Sequence, residues 1–163
     1  MPDGAARPLL FLDVDGTLIP FGGPQSASSA PGYEVREGVN PLRSRLDPRH
    51  GTRLSALPCD LVWATAWVDD ANDEIAPLLG LPALPVVDWP DSDEDGPLHW
   101  KTRVLVACAD GRPFVWVDDE ITDVDRAWVS AHHDGPALLY RVDPGRGLPD
   151  NDLAVIGDWL AQL

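Results

Sequence analysis

The chain has few basic residues: 12 Lys and Arg stand against 27 Asp and Glu, for a formal net charge of −15 and a pI near 4.3. Non-specific binding to nucleic acid or to an anionic membrane needs a basic footprint, so the charge balance counts against both. It leaves room for a phosphate bridged through a metal. Cysteine is scarce too. Cys59 and Cys108 have no ligand-like spacing, which removes a zinc site, and both read as buried thiols rather than a disulfide. The four histidines also lack ligand spacing. No apolar run is long enough to span a bilayer, and Met1 to Pro8 is too short for a signal peptide. A cytoplasmic location with no membrane partner is the expectation, and oligomeric state is not legible.

What is present centres on Leu9 to Thr17, Leu-Leu-Phe-Leu-Asp-Val-Asp-Gly-Thr. Leu9–Leu12 has the composition of a buried strand. Asp13 and Asp15 follow one residue apart and, in extended chain, share a face. Gly16 allows a sharp turn close to a ligand. Further along, Asp60–Thr65, Leu84–Val87, Pro113–Val117 and Ala137–Val142 read as four more strands. Helices are expected in the second half of Asn40–Leu57 and over Asp69–Leu79, Trp100–Ala109, Thr122–His132 and Asp150–Leu163. Thr122 or Asp123 caps the fourth of these. Gly22 to Gly32 reads as a loop, and Tyr33 to Arg36 as a returning hairpin strand. Apolar strands without clean alternation, each followed by a helix, predict a three-layer α/β sandwich around a five-stranded parallel sheet. Its 163 residues suit one domain. In such sheets ligands bind beyond the carboxyl ends of the strands, where Asp13, Asp15, Thr65, Asp118 and Asp119 fall.

Asp13-Val14-Asp15-Gly16-Thr17, then Thr65 after the second strand, Lys101 at a helix start and Asp118-Asp119 after the fourth strand resemble, in order, the four motifs of the haloacid dehalogenase (HAD) superfamily. The resemblance implies a Rossmann-like sheet in the order 5-4-1-2-3, one HAD-like hydrolase domain over residues 1–163, and a loop or hairpin flap about 18–38. The gaps that carry a large cap domain in some members are too short for one here. It further implies a Mg²⁺-dependent phosphatase, a phosphoric monoester hydrolase. Asp13 is then nucleophile and metal ligand, forming an aspartyl-phosphate. Asp15 lends its main-chain carbonyl to the metal and its side chain as acid and base. Thr65, with the main-chain N–H of Ala66, binds the phosphoryl group. Thr17 joins that binding set, and Lys101 neutralises nucleophile and phosphate. Asp119 is the first choice for the remaining metal ligand, with Asp118 beside it as ligand or support.

Other features compete for roles. Trp67 either overhangs the site and stacks on substrate or belongs to the core. Asp123 either orients the acidic pair or caps a helix. His99 is near enough to Lys101 to touch substrate. Asp88 to Gly96 is an acidic loop, and its Asp91–Gly96 part matches only the first half of a calcium-binding loop. A phosphorylated small molecule is the leading substrate class. Phosphorylated nucleotide or nucleic-acid ends are the alternative, because the short chain is similar to the HAD domains of RNA-repair proteins. A catalytically silent binding or regulatory module of the same fold is the remaining alternative.

Overall fold

The computed structural model describes residues 7–19, 47–89 and 98–163. Four parallel strands, β1 (Leu9–Leu12), β2 (Asp60–Trp63), β3 (Phe114–Asp118) and β4 (Ala137–Arg141), form one sheet in the order β2-β1-β3-β4. β1 and β3 lie at the centre and are buried throughout, which is why their sequences run apolar without alternation.

Alternate residues of the central strands feed two cores. Leu10, Leu12, Val115 and Val117 join a core with Ile75, Leu79, Ile156 and Leu160. Leu9, Phe11, Phe114 and Trp116 join a second core with Leu105, Ala109 and Val129. The first is covered by α1 (Arg49–Ser55), α2 (Ala76–Leu79) and α5 (Asp150–Ala161). The second is covered by α3 (Thr102–Ala109) and α4 (Asp123–His132). The α/β sandwich expected from the sequence is therefore present.

The five-stranded sheet is not: among the described residues four strands form. The Leu84–Val87 segment lies on the expected edge, beside β2, but pairs only through a single parallel bridge, Trp63 to Val86. Two hydrogen bonds carry it, Trp63 N to Pro85 O at 2.9 Å and Val87 N to Trp63 O at 3.0 Å. Pro82 and Pro85 have no N–H to give a ladder, and proline is tolerated only at such an edge.

The helix expected over Asp69–Leu79 divides into a π-helical turn, Ala71–Ile75, and α2, in which Gly80 (φ +70°) closes the end. Ala76 N donates five residues back to Ala71 O. Pro77 cannot return an N–H to the preceding turn, and a wider turn accommodates that. Asn72 braces the segment: its Oδ1 accepts from Trp63 Nε1 and Leu84 N, both at 2.8 Å.

α4 takes Thr122 as its cap, in a reciprocal capping box with Asp125. α3 buries Thr102, Leu105 and Ala109, which leaves Cys108 exposed, contrary to expectation; Cys59 is buried and both thiols are free. The hairpin strand about Tyr33, nearly all of the flap, the start of the Asn40–Leu57 helix and the Asp91–Gly96 stretch lie outside the described residues. Among the described residues no helix is long and apolar enough to cross a membrane.

Candidate active site

The register of the two central strands makes the site. Leu12 pairs with Val117, so the next residues, Asp13 and Asp118, emerge side by side at the carboxyl edge. Asp13 N donates to Val117 O at 3.1 Å. Asp13 follows the alternation of Leu9 and Phe11, and Asp118 that of Phe114 and Trp116, so both side chains belong to the face covered by α3. Both are buried. Two adjacent buried carboxylates repel, and α3 supplies the remedy. Lys101, its N-cap residue, places Nζ 2.9 Å from Asp13 Oδ1 and 2.8 Å from Asp118 Oδ2. A cation at a helix start opposes the helix dipole, and the two carboxylates outweigh that cost. Burial pulls the ammonium's pKa down, but Asp13 and Asp118 carry it above the ordinary lysine value. Lys101 is the only lysine in the chain, a signal the sequence itself carries.

One cation does not balance the group. Asp119 follows Asp118 and is also buried. Burial, opposed by Lys101 and reinforced by Asp118 and Asp119, pushes the Asp13 carboxyl up to about 7. Burial and the neighbouring Asp118 push Asp119 up to about 6. Asp13, Asp118 and Asp119 each offer an oxygen, and these oxygens lie within 4.8 Å of one another. A hard-oxygen cluster with surplus negative charge fits a divalent ion such as Mg²⁺. The three residues differ in how much of them is already engaged. Asp118 Oδ2 accepts from Lys101 and from Trp116 Nε1 (3.2 Å), and its Oδ1 accepts from Glu120 N (3.1 Å).

The turn after β1 brings Asp15 and Thr17 to the same place. Gly16 adopts φ +78° and donates to Ile19 O at 2.8 Å, while Val14 O accepts from Thr17, Leu18 and Ile19. Thr17 Oγ1 lies 3.3 Å from Asp13 Oδ2 as donor. Asp15 Oδ2 accepts from Trp67 Nε1 at 2.9 Å. Trp67 thus holds the second acid of the motif and also packs against the core, as one of its two sequence readings has it. Thr65 is buried beyond β2. Its Oγ1 accepts from Trp67 N (3.2 Å) and its carbonyl from Trp89 Nε1 (2.9 Å). The loop it begins holds Val68 at φ +51°, a conformation costly for a β-branched residue.

A cavity of about 160 Å³ joins Asp13, Asp15, Ala66, Lys101, Asp118 and Asp119, with His99, Trp100 and Glu120 completing its wall. Thr17, Thr65 and Trp67 are outside that lining. A larger cavity, about 790 Å³, lies among Leu9, Asp60, Leu81 and Arg112, and none of the predicted site residues borders it. Size does not identify the site here; the chemistry of the lining does.

Asp123 does not orient the acidic pair. It is exposed and meets Arg126 at 3.0 Å. Asp125, overlooked in the sequence, is fully buried. Its Oδ1 accepts from His99 N (2.7 Å) and Thr102 Oγ1 (2.8 Å), and its Oδ2 from Thr122 N (2.9 Å) and Thr122 Oγ1 (3.0 Å). Burial alone raises a carboxyl's pKa, but these four donors hold Asp125 below its ordinary value. One carboxylate therefore fixes the residues on either side of Lys101 to the start of α4. The Thr-x-x-Asp spacing of a capping box was its available signature.

Parallel strands delivering an Asp-x-Asp motif and an Asp pair to one buried lysine define a HAD-type domain. Residues 9–153 match the family model described as the HAD domain in Swiss Army Knife RNA repair proteins, and the chain belongs to that family. No curated protein and no solved structure matches it.

Proposed function

We propose that this chain is a Mg²⁺-dependent phosphohydrolase that cleaves a phosphate monoester through an aspartyl-phosphate on Asp13. The observation that carries the reading is Lys101 Nζ held between Asp13 and Asp118, with Asp119 completing the cluster. A carboxylate attacking a dianionic ester meets charge repulsion, and this constellation is built to cancel it.

Asp13 Oδ1 or Oδ2 attacks phosphorus, the bond to the ester oxygen breaks, and Asp15 gives that oxygen its proton. Asp15 then takes a proton from water, the water oxygen attacks phosphorus, and the Asp13 carboxylate is released with inorganic phosphate. Trp67 Nε1 orients Asp15 for both transfers. Thr65 Oγ1, Ala66 N and Thr17 bind phosphoryl oxygens, and Lys101 shares their charge with Asp13. Asp13, Asp119 and the Asp15 carbonyl would hold Mg²⁺. Asp118, with its oxygens engaged by Lys101, Trp116 and Glu120, positions the lysine and supports the metal set. When bound, the ion supplies charge neutralisation at the nucleophile and the phosphoryl oxygens.

The family's description favours a second, narrower reading, in which the ester is a phosphorylated nucleotide or nucleic-acid end. The expectation of one domain, 1–163, with a flap about 18–38 and no large cap is part of this proposal, as is a cytoplasmic setting. The intact acids, threonine and lysine count against a silent binding module. Phosphate release from p-nitrophenyl phosphate tests the reading. Turnover with Mg²⁺, abolished by EDTA and by Asp13→Asn, is expected. Absence of Mg²⁺-dependent turnover on any phosphate ester would overturn it.

A further inference from the structure

We propose that Trp100 is the stacking wall of a base-binding subsite, so that the esters acted on at Asp13 are nucleoside phosphates, free or at a strand end. This rests on the phosphohydrolase reading in its narrower, nucleotide form and assigns the residue that would recognise the base. Among the described residues, five large apolar side chains are exposed, and Trp100, at 50%, is the aromatic one. It borders the catalytic cavity.

The ring is braced from within the site. Trp89 meets it edge to face, centroids 4.8 Å apart at 75°, and Trp89 is itself tied by Nε1 to the Thr65 carbonyl. His99 stacks at 5.5 Å and 26°, and its own ring is fixed between Lys101 N and Glu120. Lys101 Nζ lies 5.3 Å from the Trp100 centroid, so one ammonium touches both the ring and the nucleophile. The indole is thus fixed by three neighbours and still half exposed beside a polar cavity.

The cavity's size and charge choose that partner. About 160 Å³ takes a phosphoryl group, and the rest of the ester must lie at the rim. Among the described residues, the lining offers no Lys or Arg besides Lys101 to hold a further phosphate. Recognition beyond the phosphoryl group therefore falls to an uncharged flat group one sugar away, and every nucleobase presents a π face. An aryl phosphate differs, because its ring is joined directly to the ester oxygen, with no sugar to set it at the distance of a base.

The test compares wild type, Trp100→Ala and Trp100→Phe on nucleoside 5′- and 3′-monophosphates, 5′- and 3′-phosphorylated trinucleotides, ribose 5-phosphate and phosphotyrosine amide, all with Mg²⁺. Wild type is expected to favour base-bearing esters over ribose 5-phosphate by about tenfold or more in kcat/KM. Trp100→Ala should erase that advantage through KM, and Trp100→Phe should keep most of it. Comparison of mononucleotides with trinucleotides separates a free nucleotide from a strand end. No preference in wild type, an unchanged preference in Trp100→Ala, an equal loss on all esters, or phosphotyrosine amide as the best substrate would overturn the proposal. Calorimetric binding of the same nucleotides to Asp13→Asn, with and without Trp100→Ala, reads the stacking without turnover. A catalytically inactive chain would thus overturn the phosphohydrolase reading, while loss of nucleotide affinity on removing Trp100 would still support the subsite.

Discussion

Asp13 shows what a single buried acid costs and gains. Its ordinary carboxyl value of 3.8 is pushed up to about 7 by burial. A group whose folded value is raised favours the protonated folded state, so it lowers stability as pH rises from its ordinary value through its folded one. Without divalent metal, Asp13→Asn should therefore match wild type near pH 4 and exceed it by several degrees in Tm at pH 8. Thermal melts in EDTA across that interval check this; a variant less stable than wild type at pH 8 would contradict it. The same uncompensated charge is what a cation relieves, so a residue that weakens the metal-free fold strengthens the loaded one. None of this was legible in Asp13 alone. Its place came from the strand's apolar lead-in, but its neighbour Asp118, 105 residues later, is set by the β1–β3 register.

The elements are joined by contacts whose partners lie far apart in sequence. Asp125 accepts four hydrogen bonds, two from His99 and Thr102 at the start of α3 and two from the α4 cap Thr122. Asp125→Ala leaves His99 N, Thr122 N and two threonine hydroxyls without their acceptor and should cost about 3 kcal/mol at pH 7 by urea denaturation. Because the folded value is lowered, that contribution is present above the ordinary carboxyl value and fades as pH falls through the folded one. The gap between wild type and variant should accordingly close on acidification below about pH 4. Activity should fall further than stability explains, since Lys101 loses its fixed neighbours. Gly51 joins α1 to the end of α2. A β-carbon there would run into the Leu79 carbonyl, a backbone atom that cannot swing aside. Gly51→Ala should cost about 2 kcal/mol, read in the same denaturation experiment, although alanine is the better helix former. Helix propensity predicts the opposite sign, which is why sequence alone misplaces this residue. Proline was misjudged in a similar way. The apolar Leu84–Val87 segment looks like a strand, but Pro82 and Pro85 leave it too few donors for more than one bridge.

At the scale of the molecule, the sandwich and the place of the candidate acids at its edge were legible because both follow from apolar strands that each lead into a helix. Runs such as Leu9–Leu12 and Phe114–Val117 can only be buried on both faces, and the acids that end them must then meet at one edge. Bonds between side chains were hidden where they depend on loop geometry, as in Trp67 to Asp15 and Asp125 to α3. The net charge of −15 adds a general effect to a local one. Monovalent salt should stabilise the chain modestly by screening, whereas Mg²⁺ at about a hundred times its dissociation constant should add roughly 2.7 kcal/mol. Melting in matched ionic strength with and without Mg²⁺ separates them, and Asp119→Asn should lose most of the Mg²⁺ increment but not the salt response.

Lys101 has a consequence outside catalysis. The chain carries its only ε-amine in the most guarded part of its interior, 3% exposed. Acylating reagents that mark amines are then blind to the native surface except at the α-amino group. Each further mass increment on the intact chain would record a molecule that had opened at its centre, so ordinary amine chemistry becomes a clock for the unlocking of this one site.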